Sequence, residues 1–172
     1  MNNRPIQTIN RQTLDELLQQ ARQHPRKRAI RRLHADDWEH AHRMLNALTP
    51  GTYVRPHRHN DQYKGEGFIL LCGQMALLIF NADGTLRQTA SRLLSYENGC
   101  LGMEIPPGIW HSLVALADTV IYEVKGQPAG GYVQESDKDF APWAPAEGAP
   151  EADDYLRMLE ELARRLTGEG GN

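Results

Sequence analysis

Two cysteines, Cys72 and Cys100, are all that the 172 residues contain. So few exclude a disulfide framework and fit buried thiols in a reducing compartment. Long hydrophobic runs are also missing. The longest apolar stretches, Phe68 to Cys72 and Ala76 to Phe80, are far too short to span a bilayer. No apolar segment follows the opening Met1-Asn2-Asn3-Arg4, so no secretory signal and no membrane partner are expected, and the cytoplasm is the expected location. A large charge of one sign is absent too, with a net charge of -3. The charges are unevenly spread, however. Arg22, Arg26, Lys27, Arg28, Arg31 and Arg32 lie close together, whereas Glu135, Asp137, Asp139, Glu147, Glu151, Asp153, Asp154, Glu160 and Glu161 load the C-terminal part. The basic run has no Phe, Tyr or Trp on which bases could stack. It reads as a solvated segment that pairs with the acidic part of the same or a partner chain, and no nucleic-acid partner is expected. No internal repeat is found.

The length suits one domain with terminal extensions. Thr13 is the expected N-cap of a helix, with Glu16 at the capping-box position and Leu14, Leu17 and Leu18 at helical spacing; Pro25 ends it near His24. A second short helix is expected from Trp38 to Met44. Short apolar runs broken by turns then follow: 44–48, 52–56, 67–72, 75–80, 87–93, 102–105, 111–115 and 119–124. Many short strands at near-regular spacing point to an all-β sandwich or barrel. After an irregular stretch, Tyr155, Leu156, Leu159, Leu162 and Leu166 form the stripe of a closing helix, and the Gly-rich end from Gly168 is expected to be disordered. The division is therefore an N-terminal helical extension (1–43), a barrel (44–126), and a C-terminal segment and helix packed on it (127–172).

The informative residues are His57, His59, Glu66 and His111. His57 and His59 are two apart, so on an extended strand they share a face. Two imidazoles on an inward face are costly to bury unless something uses their lone pairs, and a divalent metal does so. Glu66 can add a carboxylate, and the turn Pro106-Pro107-Gly108 delivers a third imidazole at His111. Such a set leaves positions open on an octahedral ion for water, dioxygen or a chelating substrate. His34, His40 and His42 repeat some of this spacing. They fall in expected helical sequence, where i and i+2 do not share a face, and read as surface residues or interface donors.

The spacing of Gly51, His57, His59, Glu66 and Gly73, followed by Pro106, Gly108 and His111, resembles the two motifs of the cupin superfamily. The stretches Arg55-Pro-His-Arg-His, Glu104-Ile-Pro-Pro-Gly-Ile-Trp-His and Asp137-Lys-Asp-Phe-Ala-Pro-Trp-Ala-Pro look like WbuC-type cupin-fold metalloproteins. The resemblance implies an all-β, double-stranded β-helix barrel of jelly-roll type with a short helix at each end. It also implies one divalent metal ion (Fe, Mn, Ni or Zn) on His57, His59, Glu66 and His111. Six residues separate His59 from Glu66 where the motif has three or four, and Lys64 stands where the shorter spacing would put the carboxylate. Glu66 is retained because it lies six residues before Gly73, which places Lys64 in a lengthened loop.

Tyr53 and Arg55 share the parity of His57 and His59 and are expected to face inward. Arg55 either clamps an anionic ligand or pairs with Glu104 or Glu123. Trp110 is a candidate pocket wall, and Tyr53 and Glu123 are candidate proton-transfer groups. WbuC-type proteins are associated with surface-polysaccharide gene clusters, so the resemblance implies sugar isomerisation or epimerisation on a small, oxygen-rich, anionic or sugar ligand. An iron-dependent dioxygenase and a non-enzymatic small-molecule binder are the alternatives. A homodimer is expected.

Overall fold

Residues 74–80 are apolar at every position after Gln74, a pattern that fits a strand covered on both faces. The computed structural model, which describes residues 5–128 and 130–168, shows why. The barrel consists of two five-stranded antiparallel sheets packed face to face, each with a helix over its outer face. In chain order the elements are α1 (Arg11–Gln23), β1 (Arg28–Arg32), β2 (Ala41–Leu48), β3 (His57–Arg58), β4 (Glu66–Cys72), β5 (Gln74–Phe80), β6 (Arg92–Ser95), β7 (Gly102–Ile105), β8 (Trp110–Ala115), β9 (Thr119–Gly126), β10 (Asp139–Phe140) and α2 (Ala152–Gly168). The sheet orders are β1-β2-β9-β4-β7 and β10-β3-β8-β5-β6. Without the added edges β1 and β10, each sheet has the four-strand order of a jelly roll, in which strands from the first half of the chain (β2 to β5) alternate with strands from the second (β6 to β9).

The core between the sheets is built from Phe68, Leu70, Leu77, Ile79, Leu94, Leu113 and Ile121. Leu17, Leu18 and Ala21 of α1 cover Leu45, Ala47 and Val120 on one outer face. Leu159 and Ala163 of α2 cover Ala76, Leu78 and Val114 on the other. Gly73 makes the tight β4–β5 turn at φ 86°, where a Cβ would stand 2.2 Å from the Asp118 carbonyl oxygen.

Several elements differ from the sequence expectation. The N-cap of α1 is Asn10, whose side chain accepts from the Thr13 N–H at 3.0 Å. Thr13 is buried one turn inside the helix, and Glu16 accepts from Gln12 instead of closing a capping box. No helix forms at 38–44: β2 begins at Ala41, because its alternating burial pairs it along its whole length with β9. The basic stretch Arg28–Arg32 is an edge strand on β2, and Arg26 and Arg28 both pair with Glu147. Residues 87–90 form turns, and the strand there starts at Arg92. Residues 52–56 are extended but lie in no ladder, since Pro56 lacks an N–H and Thr52 bonds to Lys27 and Thr49. Residues 169–172, the end expected to be disordered, lie outside the described residues.

Candidate metal centre

Short β3 carries His57 and pairs directly with His111 on β8, while Glu66 opens β4 on the opposite sheet. His59 lies just past β3, where its carbonyl accepts from the Gly108 N–H at 2.7 Å; Gly108, at φ 83°, makes the turn before β8. The centre therefore sits between the sheets at one end of the barrel. All four side chains are buried, and their potential ligand atoms lie within 4.8 Å of one another. His57 and His111 have ring centroids 4.5 Å apart, and Glu66 Oε2 lies 3.3 Å from His111 Nε2.

Proton placement decides what this group can hold. Each imidazole directs Nδ1 at a backbone carbonyl: His57 at Arg55 and His111 at Ile109, both at 2.9 Å, and His59 at Asp137. A carbonyl only accepts, so each Nδ1 carries the proton and each Nε2 presents a bare lone pair. His59 Nε2 is buried in close contact with Glu66 Oε1, and no hydrogen-bond donor reaches it. With all three rings neutral, three lone pairs and a carboxylate converge. A cation satisfies all four at once, and the carbonyls behind the rings fix the ligating tautomer. The donor set fits one divalent transition ion, and these four residues could hold it.

The charges agree with that reading. Burial, followed by Lys138 and His111, holds His57 well below its ordinary pKa, so its ring is neutral. Burial pushes the Glu66 carboxyl up, but N–H groups and positive charge on the facing His111 and His59 rings outweigh it and hold its pKa well below the ordinary value, and a cation at the same place would take over that role. Lys64 is buried and points away, its Nζ 3.4 Å from Asp137 Oδ1. The long His59–Glu66 connection is accommodated by a turn at Asp61–Tyr63 that lies directly on Gly126, where a Cβ would stand 1.9 Å from the Tyr63 oxygen.

The centre opens into a cavity of ≈ 640 Å³ lined also by Asn46, Arg55, Phe68, Glu123, Lys138 and Phe140. The Arg55 guanidinium stacks 5.0 Å from the Phe140 ring centre and donates to the Ala141 carbonyl at 3.0 Å. Among the described residues no carboxylate pairs with it, and its Nε has no partner. The expected alternative partners are engaged elsewhere: Glu104 is on the outer face, and Glu123 accepts from Asn46. Burial raises Glu123 to about 7, with Glu66 adding to the shift.

Tyr53 and Trp110 do not line this cavity. Tyr53 is in a segment without a pleat, so strand parity fails there; its hydroxyl donates to the Pro145 carbonyl at 2.8 Å and its ring meets Tyr155 of α2. Trp110 precedes the inward His111 and faces outward, against Trp143 and beneath Arg58. Trp143 also packs on Phe80 and bonds to the Ala82 carbonyl, so together with Phe140 it holds the C-terminal segment across the barrel.

Asp137 opens one of the stretches that carry the resemblance but was given no role there, and Lys125 carries no motif signal, yet both stand directly behind the centre. Lys125 Nζ lies 2.7 Å from Asp137 Oδ2, and the Asp137 backbone carbonyl orients His59. The resemblance of the stretch from Asp137 and the acid-rich C-terminal part were the hints of such a residue. His34 and His42 are buried rather than superficial, because they belong to a strand and its entry, while His40 is exposed. Burial, followed by the neighbouring His34, lowers the His42 pKa.

A family model described as a domain of unknown function (DUF6016) matches residues 9–91. No curated protein matches the chain. Among solved structures, protein SO0799 from Shewanella oneidensis is similar at 13% identity and a TM-score of 0.56, over 87% of this chain and 96% of that one. A cupin superfamily protein from Desulfitobacterium hafniense is similar at 10% identity and a TM-score of 0.46, over 59% and 78%. The fold is an all-β jelly-roll barrel with a helix at each end, as expected, and SO0799 shares that fold. The inward His and Glu cluster at one end of the barrel is a site that could take a metal ion. No helix among the described residues is long and apolar enough to cross a membrane.

Proposed function

We propose that the protein is a metal-dependent enzyme that moves a proton on a small, oxygen-rich anion, of the sugar isomerase or epimerase type. One observation carries this reading: four buried candidate metal ligands face a cavity that also holds Arg55, which has no carboxylate partner among the described residues, and a protonatable Glu123. A bound divalent ion would supply Lewis-acid polarisation of a substrate oxygen. The remaining work falls to the chain. Arg55, held by Phe140 and the Ala141 carbonyl, binds the anionic end of the substrate in a fixed orientation. Glu123 lies two positions along the sheet from Glu66, opposite Phe68, and a carboxyl titrating near neutrality can both accept and return a proton. Phe68, Leu113 and Phe140 exclude water from the walls. The resemblance to WbuC-type sequences supports a sugar or sugar acid as the substrate class.

Two measurements test this. Metal analysis should find one ion per chain at this centre, and His57→Ala with His59→Ala should remove it while the barrel stays folded. Incubation with sugars and sugar acids in heavy water, followed by NMR, should show deuterium entering the carbon next to the carbonyl. Glu123→Gln should abolish exchange and keep the metal. Substrates that bind a metal-loaded protein and never exchange would favour a binding protein, and tightly held iron would favour an oxygenase.

A further inference from the structure

We infer that the protein has a second divalent-metal site, formed by His34, Asp37 and His42 at the entry to β2, separate from the barrel centre. Their potential ligand atoms lie within 4.8 Å of one another, and none of the three belongs to the first cluster. His34 and His42 retain only 6% and 3% of their exposure, and the Nε2 of each is buried with no hydrogen-bond partner. Two unpartnered imidazole nitrogens side by side are a standing cost to the fold. Their other nitrogens explain the arrangement. His34 Nδ1 lies between the Arg43 carbonyl, at 2.9 Å, and the Arg43 N–H, at 3.1 Å, so it finds a partner whether or not it carries the proton, and His42 bonds to the backbone of Asp37. In the tautomer that donates from Nδ1 to the carbonyl, each Nε2 carries a free lone pair on the same side of the cluster, and the two can meet on one ion once the rings tilt apart.

Asp37 completes the set from the surface. It is exposed and paired only loosely with Arg32, at 3.4 Å, so its carboxylate is free to turn inward at little cost. The Asp37 backbone is fixed, since its carbonyl accepts from the Tyr132 N–H at 2.9 Å. Two imidazoles and one carboxylate suit a borderline ion such as zinc, copper or nickel, with water or a further ligand in the fourth position. The rings now stack at 14° with centroids 4.0 Å apart. Nitrogens sharing one tetrahedral ion stand roughly 3.3 Å apart with lone pairs converging, so ion binding opens the stack.

The test is equilibrium dialysis of the full chain against zinc, with bound metal counted by elemental analysis and melting temperature measured for every variant. The wild-type chain should hold two zinc ions. His57→Ala with His59→Ala should leave one. Asp37→Ala, which alters an exposed side chain, should weaken the second ion by about tenfold or more, since loss of a ligand exceeds the usual effect of losing an outer partner, with melting temperature unchanged. His34→Gln should remove that ion. One zinc in the wild type that His57→Ala with His59→Ala removes overturns the second site alone. Two zinc ions unaffected by Asp37→Ala and His34→Gln overturn it as well. A single zinc lost on His34→Gln and kept on His57→Ala with His59→Ala would uphold this site and refute the barrel centre. If the barrel double variant fails to fold, Asp37→Ala and His34→Gln in the wild-type background decide the matter by the drop from two ions to one.

Discussion

Lys125 Nζ stands 2.7 Å from Oδ2 of Asp137, with both residues buried, and the Asp137 backbone carbonyl is the acceptor that orients the ring of His59. The ion pair therefore acts on the metal centre through the main chain. Burial would raise the Asp137 carboxyl, but Lys125 outweighs it and holds the pKa below the ordinary value. Its stabilising contribution is then present above the unfolded carboxylate pKa and lost as pH falls through the folded one.

Asp137→Asn should accordingly be costly in two separate ways. Removing one partner of a buried ion pair typically costs about 3–5 kcal/mol, so the urea midpoint should drop sharply. Loss of the support behind a ligating histidine typically costs about 10–100-fold in metal affinity. Unchanged affinity in the folded variant would mean that the carbonyl holds its place without the carboxylate.

Glu123 gives the pH dependence an opposite sign. Its carboxyl moves from 4.5 unfolded to about 7 folded, because burial disfavours its charge. Between those values the folded state binds more protons than the unfolded one, so stability falls as pH rises across that window. At about 1.4 kcal/mol per pKa unit, the loss is on the order of 3 kcal/mol. Glu123→Gln should flatten this slope in unfolding titrations from pH 4.5 to 7. A wild type and variant with parallel slopes would show that Glu123 does not titrate there.

Arg55→Lys should separate ligand binding from stability. The guanidinium has no carboxylate partner to lose among the described residues, so melting temperature and metal content should hardly change. A charge-assisted contact contributes about 1.5–3 kcal/mol, so the affinity for a small dicarboxylate such as oxalate should fall by roughly tenfold or more. A large drop in melting temperature with unaltered affinity would assign Arg55 a structural role.

The jelly roll was legible because its apolar runs are short, separated by turn residues and punctuated by two motifs whose spacing depends on strand geometry. His57, His59, Glu66 and His111 were legible for the same reason, since each lies in or beside a strand. Parity failed where the ladder failed. Tyr53 lies in an extended segment that no strand pairs with, so counting by twos from His57 sent its ring the wrong way. His42 was misjudged through the opposite error, because Trp38 to Met44 looks helical locally and only pairing with β9 makes its second half a strand, and His34, in the connection before β2, is buried by stacking on His42. Asp137 was visible as the start of a recognisable stretch, but its role was not. Its role depends on contacts with Lys125, Lys64 and His59, and two of these are more than 70 positions away in the chain.

That separation makes the aim of one ring a long-range matter. His57 and His111 take their carbonyl acceptors from two residues away, Arg55 and Ile109, whereas the acceptor for His59 stands 78 residues downstream. The orientation of the His59 ring therefore depends on the C-terminal segment being in place, and a chain cut before Asp137 would keep the acceptors of the other two rings and leave His59 without its own.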